Sequence, residues 1–213
     1  MNFPNHFKKR ILMTTAGVTL CAIAVGFFKC SQFGVDPFQC FAQGIWGHFF
    51  ETSVSYGFYY MVLSGLMLLL DLFIARRCMG AATLVNMFLT GYIVDFSCAV
   101  INRFAPAPSL TLRIVFLAVA VLVMCFASSL YMTSSLGVSV YDAIPIVIAD
   151  SRKFPFRFVR IGCDLLCVII GTLSGLLPGV GTLITAFFMG PLIEFFNHRF
   201  SEPFLFGQNQ RSH

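Results

Sequence analysis

Two carboxylates in matching places are the first residues with chemistry to offer. Asp95 and Glu194 each lie fifteen residues after a glycine, Gly80 and Gly179, in the related stretches GAATLVNMFLTGYIVDF and GVGTLITAFFMGPLIEF. An ionisable group inside an apolar helix is costly to hold, so each acid is a functional candidate, as a gate or a proton carrier. Fifteen residues of helix cover about 22 Å, which equally suits a place at the polar interface, where each acid caps or pairs with a neighbour. Both readings are open. Gly91 and Gly190, four residues before the acids, share their face and let another backbone come close.

Two short segments, PFQCFAQGIWGHF from Pro37 and VYDAIPIVIA from Val140, carry the next candidates. Asp36 is placed to cap the first helix, with Pro37 at its first position and Gln39 in reach-back position. Ser139 and Asp142 repeat that box at the second. Capping matters more in lipid than in water, because an unsatisfied amide there costs several kcal/mol. The same helix starts offer a positive dipole end to an anionic group. Gln39 and Gln43 are four residues apart and share a face, which fits contact with a solute or with a polar partner helix. Asn86 and Thr90, with Thr182 and Thr185 in the other copy, add neutral polar groups that either line a path or join helices. Arg160 and Asp164 are spaced for an ion pair along one helix, and Asp71, close to Arg76 and Arg77, reads as interfacial.

The elements that must position these residues are membrane helices. Of the 213 residues, 58% are hydrophobic and 11% charged, whereas a soluble domain carries roughly a quarter of charged residues. Long apolar runs cover about 11–29, 54–75, 80–102, 110–132, 157–177 and 180–197, near the length needed to span a bilayer as helix. The segments at about 37–49 and 140–149 are too short to span comfortably. The order is therefore span, short helix, span, span, twice over. One transmembrane domain, 1–213, is expected, with repeat one at about 11–104 and repeat two at about 110–200. If the short segments dip and return, Lys8-Lys9-Arg10, Arg76-Arg77, Arg152-Lys153, Arg157 and Arg199 fall on one side, as the positive-inside rule requires. Each half then has three spans, and an odd number inverts one half relative to the other. The expected fold class is all-α, two inverted repeats of three transmembrane helices, each with one discontinuous or re-entrant helix. Paired discontinuous helices in inverted repeats are a recurring transporter design. The GxxxGxxxG series Gly171, Gly175, Gly179 says packing, not chemistry.

The charge of +5 sits in clusters between apolar runs, so no nucleic-acid partner is indicated. The first apolar run is long and lacks a small-residue cleavage site, so it reads as a retained span rather than a signal peptide. No HExxH, GxSxG, GxGD or phosphate-cradling glycine loop occurs, so an enzyme is not expected. His6, His48, His198 and His213 lie at ends or loops, which leaves no pair suited to haem. No cofactor and no metal is expected. The eight cysteines are scattered in apolar runs without a CxxC and read as small buried hydrophobes.

The stretches GVDPFQCFAQGI, MGAATLVNMFLTGYIVDF, LGVSVYDAIPIVI and PGVGTLITAFFMGPLIEF resemble the bacterial YczE-like membrane proteins, related to the YitT group. The resemblance runs from about residue 10 to 200. Ala82 stands where a second glycine is typical, and Val140 where proline is common. The soluble C-terminal domain of many YitT-type proteins is not expected after Phe200. The resemblance implies a multi-pass protein of the bacterial cytoplasmic membrane. Together with the repeat, it leads to an expected small-molecule transporter or channel, with both termini cytoplasmic. Its substrate site would use Asp36, Gln39, Gln43, Asn86, Asp95, Asp142, Thr185 and Glu194 between the halves. The alternative is a non-transporting membrane partner, a substrate-capturing component or regulator of another complex. Expected partners are the lipid bilayer, an unidentified small solute, and either a second copy or a membrane partner protein.

Overall fold

The computed structural model describes residues 4–50 and 52–206, with backbone alone for residues 4–6, 57, 77, 81, 82, 84–91 and 206. Every regular element among the described residues is helical. In chain order they are α1 (Pro4–Ser31), α2 (Pro37–Phe49), α3 (Tyr56–Ile74), α4 (Ala81–Phe104), α5 (Leu110–Ser134), α6 (Val140–Arg152), α7 (Phe156–Leu173), α8 (Val180–Phe196) and α9 (Glu202–Phe206). A 3-10 turn, Arg76–Cys78, leads into α4, and a π-helical turn, Asn197–Ser201, joins α8 to α9. Three helices, Phe7–Ser31, Leu110–Ser134 and Val180–Leu205, are long and apolar enough to cross a membrane. Phe58–Ile74 is a shorter apolar helix.

The chain reverses in the same way after each first long helix. Gln32 and Ser135 take left-handed φ values of 56° and 55°, which end α1 and α5. Two residues later Gly34 and Gly137 have φ of 120° and 134°, a region that side chains disfavour. The following helix then starts on a side-chain cap. The Asp36 carboxylate accepts from the Gln39 N–H at 3.0 Å, and the Ser139 hydroxyl accepts from the Asp142 N–H at 3.3 Å.

α1 and α5 run antiparallel along their lengths. The Thr14 hydroxyl donates to Ser134 at 2.6 Å near one end, and Arg113 donates to the Ser31 carbonyl at 2.9 Å near the other. Gly17 makes the crossing close, since a Cβ there would lie 2.9 Å from the Ala127 carbonyl oxygen. α4 lies parallel to α1, with Cys98 at Gly26 and Asn102 at Cys30. α8 lies parallel to α5, with Gly181 at Leu117 and Phe196 against Phe126. The main core, Ala24, Phe28, Leu117, Ala120, Val121, Met124, Met189 and Ile193, fills the space where α1, α5 and α8 meet.

These contacts sort the basic residues by end. Lys9 lies over Phe204 of α9, Arg157 faces Glu194 near the end of α8, and the Arg76–Cys78 turn is tied to Val138 just beyond α5. All belong to the end where α1 begins. Arg113, bonded to Ser31 and Gln32, belongs to the opposite end.

α2 and α6 follow helices that end at opposite ends of the bundle. Even so, Phe38 in the first turn of α2 stacks on Tyr141 in the first turn of α6, centroids 5.0 Å apart. The starts of the two short helices therefore meet inside the bundle. α2 packs on α7 through bare backbone: a Cβ on Gly44 would lie 2.6 Å from the Gly171 carbonyl oxygen. Of the glycine series read as a packing stripe, Gly171 meets α2, whereas Gly175 has open space and φ of 96°, forming the turn after α7.

Candidate functional site

A buried charge network occupies the meeting point of the short helices. Arg160 on α7 is 4% exposed. One turn on, Asp164 accepts from its Nε at 3.1 Å, the pair expected from their spacing. The guanidinium also reaches across to Asp142 on α6 through Nη1. Every remaining acceptor is addressed by a hydroxyl. Tyr131 on α5 and Ser139 donate to Asp142, the latter at 2.9 Å, and Tyr141 donates to Asp164. The guanidinium lies 4.6 Å from the Tyr141 ring centroid, a cation–π contact strengthened by exclusion of water.

The energetics explain this density of partners. Taking charges out of water costs several kcal/mol each, and the attraction between them offsets that only when the leftover donors and acceptors are also bonded. Two carboxylates face one guanidinium, so the group carries a formal excess of one negative charge. Asp36, at the start of α2, adds a further acid near the group.

The first half repeats the arrangement with neutral side chains. Tyr60 packs on Phe38, centroids 6.1 Å apart, as Arg160 packs on Tyr141. The Tyr56 hydroxyl donates to Gln39 and lies beside Gln43, as Arg160 donates to Asp142. An aromatic group of Phe38, Trp46, Tyr56, Tyr59 and Tyr60 lies around this polar pair.

Of the residues singled out from the sequence, Asp36, Gln39, Gln43 and Asp142 come together here. Thr185 does not join them: fully buried, it donates to the carbonyls of Gly181 and Thr182 in its own helix, at 3.0 and 2.9 Å. Asp95 lies on an exposed face of α4 with Tyr92 and Phe96, apart from the network. Glu194 lies at the end of α8, 3.9 Å from Arg157. Asn86 falls outside the residues whose side chains are described. Asp71, read as interfacial, is fully buried, and neither carboxylate oxygen has a hydrogen-bond partner among the described residues.

Arg160, Tyr131, Tyr141 and Tyr56 were not among the site candidates. The ion pair within α7 accounted for Arg160 too cheaply. A guanidinium has five donors, and inside an apolar run it needs a second acceptor from another element.

The sequence profile of a "Family of unknown function (DUF6198)" matches residues 8–198. The chain belongs to this family. Among its relatives are an "Uncharacterized protein" of Haemophilus influenzae, 24% identical over 188 residues (88% of this chain, 83% of the relative), and the "Uncharacterized membrane protein YczE" of Bacillus subtilis, 24% identical over 182 residues (84% and 81%). The "Uncharacterized protein YyaS" of Bacillus subtilis is 19% identical over 180 residues (84% and 88%). No solved structure matches. The YczE-like resemblance read from the repeated motifs is thus upheld, and the chain is a helical membrane protein whose family name carries no activity.

Proposed function

We propose that the protein is a small-molecule transporter or channel of the bacterial cytoplasmic membrane, not an enzyme, with its path between two inverted repeats. One observation carries the reading: the starts of α2 and α6 meet inside the bundle around Asp36, Gln39, Asp142 and Arg160. Charged groups at such depth are costly and are found at solute and ion pathways. The antiparallel α1 and α5 and the matching turns at Gly34 and Gly137 support inverted repeats with re-entrant short helices. The basic residues at the end where α1 begins support cytoplasmic termini, as the positive-inside rule expects.

In this reading α2 and α6 line the path. Gln39 and Gln43 contact the solute, Asp36 holds the start of α2, and the Asp142–Arg160–Asp164 group anchors the second half. Asp95 and Glu194, one exposed and one at the end of α8, are left out of the path.

A second reading, a non-transporting partner of another membrane complex, draws support from how completely Arg160, Asp142 and Asp164 satisfy one another. A vesicle experiment separates the two. Proteoliposomes are loaded with a polar cell extract, and the species lost over time are read by mass spectrometry. Loss of a defined solute with wild type, abolished in a folded Gln43→Leu variant, is the expected result. Retention of every solute by wild-type vesicles overturns transport and leaves the partner role.

A further inference from the structure

At the end of the bundle where α1 begins, an open cleft of about 500 Å³ separates the start of α7 from the end of α8. Its walls are Arg157, Pro191, Glu194, Phe195, His198 and Arg199. Two guanidiniums thus face one carboxylate, which leaves one formal positive charge before His198 is counted. Neither guanidinium is saturated. Among the described residues Arg157 makes one long ion-pair contact, 3.9 Å to Glu194, and lies over the Phe158 ring at 4.8 Å, and Arg199 makes no ion pair. His198 is turned to Glu202 at 2.9 Å.

The backbone beneath is fixed. A Cβ on Gly190 would lie 2.8 Å from the Arg157 carbonyl oxygen, so α7 and α8 touch directly at the cleft floor. Beyond it, the π-helical turn is held to α5 by Ser129–Ser201 at 2.7 Å and by Thr133–Asn197. π-helical turns occur often at functional sites. Exposed apolar rings border the cleft: Phe195 in its wall, Phe158 under the Arg157 guanidinium, and Phe188 two turns before Phe195 on the same face of α8, at 57%, 59% and 58% exposure.

We propose that this cleft is a binding site for the headgroup of an anionic phospholipid. Arg157 and Arg199 take the phosphodiester, for which the planar guanidinium is suited, and the acyl chains run along Phe158, Phe188 and Phe195. A soluble anion would have no use for that apolar border. Basic pockets between helices at the cytoplasmic face are where such headgroups are held. The site is independent of the transport reading.

The test is native mass spectrometry of the detergent-purified protein titrated with phosphatidylglycerol, with phosphatidylcholine and with inorganic phosphate alone. Phosphatidylglycerol is expected to bind at least about tenfold more tightly than phosphatidylcholine. The Arg157→Gln/Arg199→Gln variant should remove that preference, whereas Glu194→Gln, which deletes the one repelling charge, should strengthen it. Lys29→Gln/Arg103→Gln, a change of equal charge elsewhere, should leave it intact. Equal binding of both lipids by wild type, an unchanged preference in the arginine variant, an equal loss in the control, or displacement of the lipid by phosphate would each overturn the proposal.

Discussion

The Thr182 hydroxyl holds both backbone groups of Val35: it accepts from the Val35 N–H at 3.2 Å and donates to the Val35 carbonyl. In the other direction, Thr83 donates to the Val138 carbonyl at 2.8 Å. Each half thus lends the first turn of its last helix to the loop before the other half's short helix. Gly179 and Gly80 make room for it, because a Cβ on either would strike the backbone of Phe33 or Leu136. The duplicated motif G-x-x-T-L is the trace of this exchange in the sequence.

Thr182→Val keeps the shape and removes the hydroxyl, leaving both groups of Val35 without their partner in a part-buried place. The expected cost is about 1–3 kcal/mol, read as a lower midpoint of thermal unfolding in detergent. Thr83→Val should cost less, since it orphans the Val138 carbonyl and otherwise loses only a long bond of 3.4 Å from the Gly80 N–H. An unchanged midpoint in Thr182→Val would mean the loop is held by packing alone.

Arg160→Met leaves Asp142 and Asp164 facing each other without a cation. Removing one partner from a buried ion group typically costs about 3–5 kcal/mol, and the variant should be recovered in poor yield. Asp142→Asn and Asp164→Asn added together should restore much of the yield, because the stranded charges are gone. A triple variant as poor as Arg160→Met would show that the guanidinium acts through shape rather than charge.

Asp71 is buried with no hydrogen-bond partner for either oxygen among the described residues, a state that costs free energy unless the group is paired. Asp71→Leu should raise stability by about 1–3 kcal/mol. A lower unfolding midpoint would show that the carboxylate meets a partner in the membrane-embedded protein.

Two glycine substitutions should differ in sign. In Gly171→Ala the new methyl lies 2.5 Å from the Cys40 carbonyl oxygen, so α2 must move off α7, at about 1–3 kcal/mol. Gly162, in the same helix, has nothing within 4 Å, and alanine there should add up to about 1 kcal/mol through helix propensity alone. Melting curves of the two variants give the comparison directly.

The sequence alone determined the helical class, the order of long and short helices, the caps at Asp36 and Ser139, and the pairing of Arg160 with Asp164. All four are local: they depend on apolar run length and on contacts within four residues, which spacing reports. The tertiary structure decided which polar residues share a site. Tyr131, Asp142 and Arg160 come from three helices and meet only when those helices pack, because a buried charge seeks partners by distance in space and not along the chain. The same packing left Asp95 on an exposed face and spent Thr185 on its own helix. Helical register states which residues share a side, and only neighbours decide whether that side faces a site, a core or the outside.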